Sequence, residues 1–117
     1  MKTDLPERTF AFATRIVKLC QVLDATPGVG RTLSRQLLRP GTSMGANVEE
    51  GQASQSRADF VAKYSIACKE ARETHYWLRL LAETEVIPAD RLRPVTEECN
   101  ELIAILTTII KKSRANS

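Results

Sequence analysis

One histidine, three cysteines and two pairs of glutamates are the side chains here that could do chemistry, and their spacing excludes most of it. A carboxylate-bridged di-iron centre in a helical bundle needs Glu-x-x-His pairs on inward-facing helices. Three residues before His75 stands Arg72, a cation that repels a metal ion. Phosphoryl transfer through a histidine needs room and a stabilising cation beside the ring. His75 is instead followed by Tyr76, Trp77, Leu78 and Arg79, bulky and largely apolar. Histidine phosphotransfer therefore stands only as an alternative that would require an exposed, reactive His75.

Cys20, Cys68 and Cys99 are odd in number and form neither a C-x-x-C pair nor a zinc spacing. Each falls on an apolar helical face, where a free thiol behaves as a small hydrophobe. That usage predicts a reducing compartment, hence a cytoplasmic location. Glu49, Glu50, Glu70 and Glu73 could be imagined as paired carboxylates for acid–base work. Nothing beside them supplies a nucleophile, oxyanion donors or a phosphate-cradling glycine loop. With Lys69 and Arg72 as neighbours, Glu70 and Glu73 read as a salt-bridged helix face. The expectation is no enzyme, no metal and no cofactor.

What remains is charge. Residues 1–40 carry seven Lys/Arg against three Asp/Glu, a balance of +4; residues 41–85 balance to −2 and the remainder to +1. In the first stretch Arg8, Arg15 and Lys18 share one polar side of a helix. Arg31, Arg35 and Arg39 form an i, i+4, i+8 stripe on the next. Joined, they could meet the phosphates of RNA or DNA. With three Phe, two Tyr and one Trp in the whole chain, base stacking is not expected. The competing reading is a solvated polar face on a protein-interaction scaffold, its partner docked on an apolar surface.

The elements that must position these residues are helices. Ala, Leu, Glu, Arg and Lys recur in long runs, and only five Gly and five Pro interrupt them. A first helix is predicted from about Glu7 to Asp24, burying Phe10, Ala13, Ile16, Val17, Cys20 and Leu23. A second begins near Val29, with Val29, Leu33 and Leu37 on one face. Pro40-Gly41 and Gly45 should kink or interrupt it before a C-cap at Gly51. Ser56 and Asp59 cap a third, whose seam runs Phe60, Tyr64, Ala67, Ala71, Thr74, Leu78, Leu81, with Trp77 off it. The fourth starts at Asp90 or Pro94 and buries Leu92, Val95, Cys99, Leu102, Ile103, Leu106, Ile109 and Ile110. The fold class is all-α: an antiparallel, up-and-down four-helix bundle with a kinked second helix, one domain spanning 1–117. The first residues lack the apolar run of a signal peptide, and nothing approaches the ~20 apolar residues of a membrane span.

The stretch Leu37–Gly51, with Ser43-Met-Gly-Ala-Asn-Val-Glu-Glu-Gly51 at its end, resembles the S-I-P-x-N-I-A-E-G signature of the 23S rRNA-intervening-sequence proteins, also labelled S23 ribosomal proteins. Asp59-Phe60 and Ala67–Thr74 are similar to that family's third helix. Gly45 replaces the signature's proline, and Glu49 its small residue. The resemblance implies a four-helix bundle that assembles into a ring-like homopentamer, with nucleic-acid binding and no established catalysis. Within the signature, Asn47 is expected to bond backbone freed by the kink, Gly51 to let the chain leave the helix, and Glu50 to pair with an arginine on a neighbour. Glu73 belongs to the matching third-helix element.

Overall fold

The computed structural model describes residues 4–116, nearly all of them in four helices: α1 (Leu5–Asp24), α2 (Val29–Gln52), α3 (Arg57–Glu83) and α4 (Ala89–Ala115). Going round the bundle the order is α1, α2, α3, α4. The packing of α2 on both its neighbours is close, whereas α1 and α4 meet thinly. Side-chain register shows consecutive helices running antiparallel. Thr9 and Ile16 lie against Gly45 and Gly41, and Cys20 bonds Ser34. Arg39 reaches Glu70 and Glu73, and Cys99 reaches the Ala71 carbonyl.

Asp4 starts α1 by accepting a hydrogen bond from the Glu7 N–H at 3.3 Å, and Pro6 occupies a first-turn position where no N–H is needed. The buried face is Leu5, Thr9, Phe12, Ile16, Cys20 and Leu23. It corrects the expected one: Phe10 is 66% exposed and Val17 39%. Phe10 and Phe12 both offer an aromatic ring, so apolar content alone could not choose between the two faces. Thr9 is tolerated in the core because its hydroxyl donates back to the Leu5 and Pro6 carbonyls at 3.0 and 3.1 Å.

The turn after α1 rests on Gly28, whose φ of 135° and ψ of −158° lie in a region essentially closed to other residues. Val29, first residue of α2, is 66% exposed rather than on the buried face. Pro40, Gly41 and Gly45 do not interrupt α2, which runs unbroken to Gln52. The glycines serve contact instead of flexibility. A Cβ at Gly41 would lie 2.7 Å from an Ile16 methyl, and one at Gly45 3.2 Å from the Thr9 carbonyl oxygen. Gly51 is likewise helical and not the exit from α2: a Cβ there would sit 2.6 Å from the Tyr64 ring.

Ser56 caps α3 by accepting from the Asp59 N–H at 3.0 Å. Its seam is buried from Tyr64 to Leu81, and half-buried Phe60 stacks on Tyr64 at 4.1 Å. Leu92, Val95, Cys99, Leu102, Leu106 and Ile110 are the buried face of α4, with Ile103 and Ile109 packed at its margin. That helix begins at Ala89, with Asp90 in its first turn and Pro94 inside it.

Candidate functional site

Arg8, Arg15, Lys18, Arg31, Arg35 and Arg39 do not form one open basic surface. Arg8 turns to α4, where its guanidinium donates to Glu98 at 2.6 and 3.0 Å and to Glu101 at 3.2 Å. Arg39 turns the other way, to α3, and donates to Glu70 at 2.8 Å and Glu73 at 2.6 Å. These bonds favour the charged form of both arginines and raise their affinity for the proton. Arg31 donates from Nε to the Asp24 carbonyl at 2.9 Å, fastening the end of α1. Arg15, Lys18 and Arg35 are exposed. Arg15 lines a cleft against α4 with Arg91, away from the α2 stripe.

Cations that composition along the chain concealed gather elsewhere. Arg72 stands near the middle of α3, and Lys111 and Arg114 on the last turns of α4. These two stretches are side by side because Cys68 Sγ lies 3.6 Å from Thr107 Oγ1, whereas Lys63 lies toward Gly51 of α2 and Lys112 toward Arg57. From Leu102 to Ala115, α4 has no carboxylate side chain. Glu70, only 6% exposed, is engaged by Arg39 on the α2 side. A cleft of about 280 Å³ opens between the two helices, lined by Ser65, Cys68, Arg72, Thr107, Lys111 and Arg114. The one available signal was the carboxylate-free tail of α4.

The groups weighed for catalysis are placed unhelpfully for it. Burial, then the nearby Arg79 charge, lowers the His75 pKa below its ordinary value. Burial pushes the Cys99 thiol up to about 12, and Cys99 donates to the Ala71 carbonyl at 3.3 Å. All three cysteines are free and buried. Among the described residues no three His, Cys, Asp or Glu side chains could jointly hold a metal ion. Among the described residues no helix is long and apolar enough to cross a membrane.

The signature stretch is built into α2. Asn47 donates from Nδ2 to the Ser43 carbonyl at 3.0 Å and its hydroxyl at 3.1 Å, so it bonds one turn back within the helix and not across a break. Glu50 is exposed and enters no ion pair with the described residues of its own chain. Glu73 joins Arg39 to Trp77, whose indole N–H donates to it at 3.1 Å. Those two donors, the guanidinium first, hold the Glu73 carboxyl below its usual pKa. A family model described as 23S rRNA-intervening sequence protein matches residues 1–108. The chain belongs to that family.

A solved member of the S23 ribosomal protein family is similar to this chain: a protein of unknown function from Bacteroides thetaiotaomicron VPI-5482. The two are 42% identical, the match covers 92% of this chain and 98% of that one, and the TM-score is 0.85. No curated protein matches. Neither comparison indicates a catalytic activity. For this family member, the signature's glycines and asparagine have visible packing roles, while the open cations lie outside it.

Proposed function

We propose that this chain is a non-catalytic, cytoplasmic, single-domain bundle that assembles with copies of itself and binds RNA or DNA through phosphates. The observation that carries the reading is the set of exposed cations that form no ion pair with a carboxylate among the described residues, Arg72, Lys111 and Lys112 together with Arg15, Lys18 and Arg35. Such a surface attracts a polyanion with little regard for sequence and strong regard for salt. Binding of a labelled single-stranded RNA, followed by anisotropy as salt rises, tests it. Affinity should fall steeply, and absence of binding even at low salt would leave the protein-interaction scaffold as the better reading.

Self-assembly has separate support. Phe10, Val17 and Leu38, 66%, 39% and 40% exposed, belong to the paired helices α1 and α2, whose contact their neighbours Thr9, Ile16 and Gly41 make. Apolar side chains gathered on one side of a bundle mark an interface. Five copies in a closed ring is the arrangement that the family resemblance implies. Light scattering should report several times the 13.0 kDa chain mass, and Phe10→Asp with Val17→Asp should reduce it to one.

A further inference from the structure

We infer that the α3–α4 cleft is the seat of a single backbone phosphate of a nucleic-acid strand, an inference that rests on the reading just proposed. Three cations reach its lining, Arg72 from α3 and Lys111 and Arg114 from α4, and no carboxylate side chain among the described residues does. Lys111 and Arg114 stand near the C-terminus of α4, where a cation also offsets the helix dipole. Arg72 sits mid-helix and has no such role. Its guanidinium can present two parallel N–H donors to the two free oxygens of a phosphodiester, and Lys111 adds a point charge.

The cleft also contains an unmet donor. Ser65 Oγ is the one buried side-chain oxygen or nitrogen without a hydrogen-bond partner among the described residues. Buried polar groups are nearly always paired, because leaving one unpaired costs about 1–3 kcal/mol. A serine hydroxyl hops between staggered rotamers at little cost. An anion in the cleft supplies the acceptor that Ser65 lacks. A strand, not a small phosphate ester, is the fitting source. The cleft is open to solvent, and exposed Lys69 stands on the same side of α3 as Ser65 and Arg72, a cation that a small ligand would leave unused.

Four proteins measured against one labelled single-stranded RNA test this: wild type, R72Q/K111Q, R15Q/K18Q/R35Q and Ser65→Val. At roughly 0.15 M ionic strength, where the Debye length is about 8 Å, distant charges contribute little. The α3–α4 double variant should bind about tenfold more weakly and lose about 0.7 of the salt slope, the share of one single-strand phosphate. Ser65→Val changes no charge; it should weaken binding about threefold and leave the slope intact. The α1–α2 triple variant should change affinity less than the double. If the triple is the one that fails, the cleft is refuted and nucleic-acid binding stands. If Ser65→Val binds like wild type, the cleft is only part of a diffuse field and the inference falls. Wild type that binds no RNA at low salt removes the reading and this inference together. Ser65→Ala replaces the valine variant should that one not fold.

Discussion

The two basic regions of this bundle have similar numbers of cations and opposite fates. On α1 and α2, Arg8, Arg31 and Arg39 each find an acceptor on a neighbouring element, and the helices close over glycines. On α3 and α4, Arg72 and Lys111 face a cleft lined by no carboxylate side chain among the described residues. A guanidinium bonded to two carboxylates contributes little field beyond its own pair. An unpaired one contributes its whole charge to whatever approaches. Charge counted along a chain therefore misjudges which cations stay open when the compensating acids come from another helix. The stretch 41–85 balances to −2 only because Glu49, Glu50, Glu83 and Glu85 are averaged with cations they do not touch.

The sharpest way to separate the regions is steric. Gly41→Val places atoms inside contact distance of Ile16 and should destabilise the fold by roughly 2–3 kcal/mol. Ser65→Val replaces a buried, unpaired hydroxyl in the cleft lining by apolar atoms and should cost below about 1 kcal/mol. Equal losses in thermal unfolding would mean that the α3–α4 cleft is as closed as the α1–α2 seam, and the contrast would collapse.

Next in size is the electrostatic counterpart. Arg39→Gln strips the partner from the buried Glu70 and from Glu73, so it should lower the melting temperature. Arg72→Gln should leave that temperature unchanged and weaken RNA binding instead. A stability loss on Arg72→Gln would show a structural pair at that position and break the comparison from the other side.

Much of the fold was legible, and the illegible parts share a cause. The seam of α3 and the face of α4 follow from spacing, since each has one apolar stripe and no rival. On α1 two stripes compete, and the choice is made by glycines on another helix: Gly41 and Gly45 accept Ile16 and Thr9, which leaves Phe10 outside. The glycines themselves leave the sequence ambiguous, because a Pro-Gly pair reads equally as a kink within one helix or as a break. Here long-range contact uses the missing side chains and the helix continues. The engagement of Arg8 and Arg39 is illegible for the same reason. Which acid meets Arg8 or Arg39 is decided by residues 90 and 31 positions away, and no local pattern records it.

Asn47 provides a smaller test of where structure ends and binding begins. Its two bonds to Ser43 are local and half-buried, so Asn47→Ala should destabilise by about 1 kcal/mol and leave RNA affinity unchanged. Thermal melts and anisotropy on the same sample decide it. Unchanged stability with lost binding would move Asn47 from scaffold to site, and with it the boundary between the two regions.

The smallest expected effect belongs to His75, one turn along α3 from Arg72. Its folded pKa lies below the ordinary 6.5 because burial, and then Arg79, disfavour the imidazolium. Below pH 6.5 the unfolded chain therefore takes up the proton before the folded one does, and stability falls as pH falls. Above that value the contribution is fully present. Glu73, whose folded pKa is also depressed, loses its contribution only below its ordinary 4.5, so it does not act in the same window. Between pH 7.5 and 5.5 the melting temperature should drop slightly, and His75→Gln should flatten the change. RNA binding should move the opposite way, because protonated His75 adds a cation on the helix that presents Arg72. Stability that rises on acidification would contradict the His75 environment. Binding that weakens in parallel with stability would place His75, and the surface it flanks, outside the contact with RNA.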